Sequence, residues 1–98
     1  MKIALIGYGK MGHMIEKIAR ERGHEIVSII DIDNRDDLKS DAFKSADVAI
    51  EFTVPTTAID NINACFDAGV PVVCGTTVWT KQIEEVKSSM VKKNGTLF

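Results

Sequence analysis

Within the first dozen residues a short apolar run, Ile3-Ala4-Leu5-Ile6, passes directly into Gly7-Tyr8-Gly9-Lys10-Met11-Gly12. Helical periodicity starts at once, with Met11, Met14, Ile15, Ile18 and Ala19 on one face. A second apolar run, Ile26 to Ile30, is then closed by Asp31. Strand, glycine turn, helix, strand and acid, in that order, constrain the chain to a βαβ unit of the kind that binds a dinucleotide.

Each glycine has a separate task in that reading. Gly7 lets the backbone leave the strand in a tight turn. Gly9 lets the main chain come close to a pyrophosphate, and Gly12 lets the new helix pack on the strand. The first N–H groups of a helix lack intrahelical partners and carry partial positive charge, which suits a phosphate. Asp31 stands where an acid accepts hydrogen bonds from the adenosine ribose. A glycine motif by itself also fits a purely structural β–α turn or a methyl-donor nucleotide site.

Beyond this unit the pattern keeps alternating. The spacing predicts a strand over 2–6, a helix to about Gly23 and a strand over 26–30. The polar segment 33–46 has room for at most a stunted helix around Leu38 to Phe43. A third strand is expected over 47–52, and Pro55 opens a helix that ends at Gly69 and Pro71. Val72-Val73-Cys74 reads as a fourth strand and Gly75-Thr76-Thr77 as a loop. A last helix carries Ile83, Val86 and Met90 and stops near Asn94-Gly95. Thr96-Leu97-Phe98 reads as the start of a fifth strand, cut short. The fold class expected is α/β, a doubly wound parallel sheet of Rossmann-like type with ligands outside the carboxyl ends of the strands.

Composition narrows the partners. The chain has 98 residues, 45% hydrophobic and 27% charged, with a formal net charge of −2. One domain is expected, over 1–98. Nucleic acid is not expected as a partner, because phosphate-backbone binding needs concentrated Lys and Arg. With no leader ahead of the first strand and no apolar run of spanning length, a cytoplasmic protein without a membrane partner is expected. Cys65 and Cys74 read as buried reduced thiols, neither disulfide nor metal ligands. His13 and His24 flank the first helix and read as surface residues.

Three segments project from the expected strand ends: the glycine loop, Phe52-Thr53-Val54-Pro55 and Gly75-Thr76-Thr77. All three are expected to face one crevice. Threonine hydroxyls and glycine-exposed N–H groups offer both donors and acceptors, which suits a carboxamide or a carboxylate. For Thr56 and Thr57, helix capping is favoured; for Thr53, Thr76 and Thr77, ligand contact and turn chemistry stay equally open.

Ile6-Gly7-Tyr8-Gly9-Lys10-Met11-Gly12, Glu51-Phe52-Thr53-Val54-Pro55 and Gly75-Thr76-Thr77, in this order and spacing, resemble the N-terminal domain of dihydrodipicolinate reductase, a family of diaminopimelate and lysine biosynthesis. The resemblance implies an NAD(P)H-dependent reductase that passes hydride to 4-hydroxy-tetrahydrodipicolinate, a cyclic dicarboxylate. It implies that Gly7, Tyr8, Gly9, Lys10, Met11 and Gly12 hold the pyrophosphate and Asp31 the ribose. Phe52 and Thr53 would line the cofactor, and Gly75, Thr76 and Thr77 would meet the nicotinamide and the substrate edge. Glu51 is expected to be structural. Two readings from other classes stay open: the cofactor unit of another nicotinamide-dependent amino-acid or imine dehydrogenase, and a nucleotide-sensing module without catalysis.

The chain departs from the family pattern in three places. Its glycine loop is one residue shorter than in many members. Val78, followed by Trp79, stands where a second glycine usually follows Gly-Thr-Thr. The His-rich segment, Lys and Pro-Ser-Gly-Thr loop of the catalytic domain have no match here, so no catalytic residue is assigned and the 98 residues alone are expected to be inactive. NADH is expected to be preferred over NADPH, since Asp31 repels a 2′-phosphate while Arg35 or Lys39 tolerates it. The resemblance implies a homotetrameric parent, and exposed strand edges should let the 98 residues self-associate.

Overall fold

The computed structural model describes residues 1–76 and 80–97. The elements run β1 (Lys2–Ile6), α1 (Lys10–Glu21), β2 (Glu25–Ile30), a 3-10 segment (Ile32–Lys39), α2 (Asp41–Lys44), β3 (Val48–Glu51), α3 (Pro55–Ala68), β4 (Val72–Cys74) and α4 (Thr80–Lys93). All pairings are parallel and the strand order is β2-β1-β3-β4. From β1 the chain moves outward to β2, then crosses to β3 on the opposite side of β1. That reversal opens a crevice at the carboxyl ends of the strands.

Two apolar sets cover the two faces of the sheet. Ala4, Ile6, Ile30, Ala49 and Val72 pack with Leu38, Phe43, Ile59, Ile62, Cys65, Phe66 and Val86 from the 3-10 segment and helices α2 to α4. Ile3 and Leu5 pack on the other face with Ala19 of α1, bordered by Ile15, Ile29 and Ile50. Alternate residues of β1 thus feed opposite cores, as a strand buried on both faces requires. Among the described residues, no helix is long and apolar enough to cross a membrane.

Helix ends follow the expected chemistry. Gly23 takes φ +84° after α1, with its N–H on the Arg20 carbonyl and the His24 N–H on that of Ala19. Gly69 takes φ +71° after α3, with the Val70 N–H on the Cys65 carbonyl. These left-handed stops close the last turns of both helices. β3 is shorter than the 47–52 expected: Asp47 lies outside it, its carboxylate accepting the Lys2 N–H at 2.7 Å.

The largest difference falls in 33–46. Where the sequence leaves room for one stunted helix, the chain makes a 3-10 run kinked at Asn34 and then a separate four-residue helix. Side-chain caps explain it. Asp31 and Asn34 cap the first piece, and Ser40 Oγ accepts the Phe43 N–H at the start of the second. Leu38 and Phe43 anchor the two pieces on the sheet, both buried. Past α4, Leu97 forms a parallel bridge to Val72, where the fifth strand was expected to begin. Thr77, Val78, Trp79 and Phe98 lie outside the described residues.

Candidate cofactor site

The first wall of the crevice is built almost wholly from backbone. Gly7 takes φ +97° and its N–H donates to the Ile30 carbonyl at 2.8 Å, tying the turn to β2. A Cβ there would lie 2.0 Å from the Phe52 carbonyl oxygen, and one on Gly12 would lie 2.5 Å from the Gly7 carbonyl oxygen. Both glycines are therefore required by main chain crossing main chain. Gly9 is different: a Cβ there would meet nothing within 4 Å. Its freedom is space held open in front of the helix.

Gly9 is the N-cap of α1 and offers no side-chain cap, and the first turn holds no acidic residue. The His13 N–H is the first to close an intrahelical bond, on the Gly9 carbonyl at 3.0 Å. The N–H groups of Lys10, Met11 and Gly12 thus remain without intrahelical partners, in front of an open space. An ordinary surface helix places an acid or a hydroxyl there.

The Tyr8 side chain is folded back on α1. Its hydroxyl donates to Glu16, and its ring stacks on His13 with centroids 3.7 Å apart. Glu16 also pairs with Arg20 at 2.9 Å. The bond to Glu16 raises the Tyr8 hydroxyl above its ordinary range, and the bonds from Tyr8 and Arg20 hold Glu16 below its own. His13 is exposed, as expected, with Nδ1 2.8 Å from the Gly9 carbonyl.

At the end of β2, Asp31 is held as a cap. Asn34 accepts the Asp31 N–H at 2.6 Å and donates to the Ile29 carbonyl at 2.8 Å, while Asp31 Oδ1 accepts the Ile32 N–H at 2.9 Å. The acid stays exposed at the mouth of the crevice. One residue on, Ile32 is 86% exposed, an apolar side chain presented to solvent beside the acid.

The second wall is assembled around one side chain. Glu51, at the carboxyl end of β3, is completely buried. Oε2 accepts from the Thr53 hydroxyl and from Asn61 Nδ2 at 3.0 Å; Oε1 accepts from the Thr76 hydroxyl and from Cys74 Sγ at 3.6 Å. The Thr53 N–H donates in turn to Thr76 Oγ1 at 2.8 Å, and the Gly75 N–H to the Glu51 carbonyl at 2.8 Å. Burial, then the charge of Glu51, pushes the Cys65 thiol up to about 12. Burial also raises Cys74. Both cysteines are free thiols, and no group of three potential metal ligands occurs among the described residues.

Together the walls enclose a cleft of about 510 Å³. Gly7, Tyr8, Gly9, Asp31, Phe52 and Thr53 of the expected set line it. Lys10, Met11 and Gly12 lie behind it, in the first turn of α1. The single crevice expected for all three strand-end segments divides instead. Gly75 sits behind Phe52, whose ring would be 2.2 Å from a Cβ on Gly75, and Thr76 borders a separate apolar hollow with Ile62, Val86 and Met90. Thr77 lies outside the described residues.

Ile30 and Ile32, which the sequence pattern did not mark as site residues, also line the cleft, together with Val54, Thr57 and Arg35. The available clue was position: Ile32 and Val54 follow the ends of their strands. Thr57 was read as a cap. Val54, the N-cap of α3, has no side-chain cap; the Thr57 hydroxyl donates back toward the Val54 carbonyl at 3.2 Å and Thr53 Oγ1 at 3.1 Å.

A parallel sheet with a topological switch beside a glycine turn defines a Rossmann-like fold, whose ligands lie outside the carboxyl ends of the strands. Solved structures carry the same fold. The chain superposes over its full length on 34% of the WlbA dehydrogenase from Chromobacterium violaceum, solved with NADH and UDP-GlcNAcA, at TM-score 0.79 and 17% identity. It matches Mycobacterium tuberculosis 3-hydroxyisobutyrate dehydrogenase at TM-score 0.73 and 18% identity, over 98% of this chain and 38% of that one. At such identities the likeness concerns fold alone.

Sequence goes further. The family profile described as "Dihydrodipicolinate reductase, N-terminus" matches residues 1–98, and the chain belongs to that family. It is 42% identical over 96 residues to 4-hydroxy-tetrahydrodipicolinate reductase of Christiangramia forsetii, covering 96% of this chain and 38% of that protein. It is 34% identical over 104 residues to the Staphylococcus carnosus enzyme of the same name, covering all of this chain and 42% of that protein. The chain spans between 34% and 42% of the length of such relatives.

Proposed function

We propose that residues 1–98 hold the nicotinamide dinucleotide for a reductase acting on 4-hydroxy-tetrahydrodipicolinate, in diaminopimelate and lysine biosynthesis. The observation that carries this reading is the open space at Gly9 before three N–H groups without intrahelical partners, in a chain of this family. Gly7 to Gly12 grip the pyrophosphate and Asp31 takes the adenosine ribose. Phe52 and Thr53 line the cofactor; Gly75, Thr76 and Thr77 are assigned to the nicotinamide and substrate edge by the family resemblance alone.

When bound, the nicotinamide supplies hydride from its C4 carbon. The residues of this chain bind and orient that ring and shield its face from water. None of them is assigned as a general acid. The greater length of the relatives is the proposed source of the protonating group and of most substrate contacts, and of a tetrameric assembly.

Asp31 disfavours a 2′-phosphate by charge repulsion, while Arg35 lines the same cleft and offsets part of it. The expected outcome is use of both cofactors with NADH preferred. Calorimetric titration of the chain with NADH and NADPH decides this. NADPH binding tenfold tighter would overturn the preference, and no binding of either would overturn the cofactor reading itself.

A further inference from the structure

Glu51 lies beneath the cleft, and all four of its side-chain partners are donors. A carboxylate only accepts, so it dictates the orientation of everything around it. The Asn61 amide must present its nitrogen, which leaves its buried Oδ1 without a partner among the described residues. Thr53 and Thr76 must each spend their hydroxyl hydrogen on Glu51. Thr76 Oγ1 also accepts the Thr53 N–H. Thr53, which lines the cleft, is left with lone pairs only, one facing Asn61 Nδ2 at 3.3 Å and one the Thr57 hydroxyl at 3.1 Å. Thr57 can turn its hydroxyl to the Val54 carbonyl and so leave one of those lone pairs open to a ligand.

The strand order puts Asp31 on the β2 side of the glycine loop and Thr53 on the β3 side. A dinucleotide with its ribose at Asp31 and its pyrophosphate at the loop extends its nicotinamide half toward Thr53. We propose that Glu51 is a positioning residue that turns the nicotinamide side of the cleft into an acceptor-only edge, selecting a carboxamide over a carboxylate. The inference rests on the cofactor reading above. The carboxamide NH2 donates to Thr53. A carboxylate in its place meets only lone pairs, with the Glu51 charge behind them.

The test compares NADH with reduced nicotinic acid adenine dinucleotide, which differs only by carboxylate for carboxamide, by calorimetry on the chain. NADH should bind about tenfold tighter or more, because a site built of acceptors leaves a carboxylate unpaired. Glu51→Gln removes the charge and one acceptor oxygen, so the surrounding donors are no longer all held toward residue 51 and the ratio should fall toward one. Glu51→Asp keeps the acceptor-only edge and should keep the ratio even where both affinities weaken. Thr53→Val should weaken NADH while leaving the acid analogue unchanged; circular dichroism checks that each variant is folded. Equal binding of the two dinucleotides by the unmodified chain, or equal losses in Thr53→Val, would overturn the inference and leave the cofactor reading standing. Failure to bind NADH at all would instead overturn that reading. Should Glu51→Gln not fold, the ratio in the unmodified chain and the Thr53→Val result decide.

Discussion

The two walls of the cleft are held by different physics. On the glycine-loop side, Gly7 and Gly12 allow main chain to touch main chain, and the loop is pinned by backbone bonds such as Gly7 to Ile30. Side chains there contribute little: Tyr8 rests on α1 through an exposed chain of bonds to Glu16 and Arg20. On the β3 side, one buried carboxylate gathers Asn61 of α3, Cys74 of β4, and Thr53 and Thr76 from the loops after β3 and β4. The first wall depends on the absence of a Cβ at Gly7 and Gly12, and the second on the Glu51 carboxylate. A ligand grip made of N–H groups needs only a fixed backbone, whereas an edge with fixed donor and acceptor polarity needs a buried group to set it.

Substitutions sharpen that contrast. Gly7→Val should have the largest effect on stability, about 3 kcal/mol or more, from positive φ and a clash with the Phe52 carbonyl. Urea denaturation measures it, and a loss no greater than that of Gly9→Val would refute the backbone account of this wall. Glu51→Leu should follow at about 3 kcal/mol, since it strands four donors in the interior. A neutral result in the same assay would mean those donors find other partners.

Gly9→Val should cost at least about 30-fold in NADH affinity, about 2 kcal/mol, with a native circular dichroism spectrum, because its side chain enters open space rather than protein. Unchanged affinity would remove the glycine loop from the site. The Glu51 wall also carries a pH signature. Cys65 is raised from 9.0 to about 12, by burial first and by Glu51 next. The neutral thiol is the form the fold accommodates, so its contribution is intact below about pH 9. It is lost as pH climbs from there to about 12, with a slope of at most about 1.4 kcal/mol per pH unit. Cys65→Val should flatten that slope in denaturation series above pH 9; an unchanged slope would assign it elsewhere. Tyr8→Phe should have the smallest effect, leaving the urea midpoint nearly unchanged, because it removes only the hydrogen bond to Glu16 and keeps the ring stacked on His13.

The sequence by itself determined the βαβ unit and the alternating order of strands and helices. Periodicity and glycine stops are local properties, encoded within a few residues of where they act. Gly7, Gly9, Gly12 and Asp31 were legible for the same reason. The capped pieces between Asp31 and Lys44 were harder, because Leu38 and Phe43 hold them only once the sheet is there to receive them. Tertiary structure alone decided that Phe52 packs on Gly75 while Thr76 borders a separate hollow, that Ile32 and Arg35 face the cleft, and that Glu51 reaches Thr76, 25 residues away. Nothing near Glu51 in sequence announces its partners. Parallel pairing of β3 with β4 brings Glu51 beside Cys74, and that register adds Cys74 and Thr76 to the donors that Thr53 and Asn61 supply.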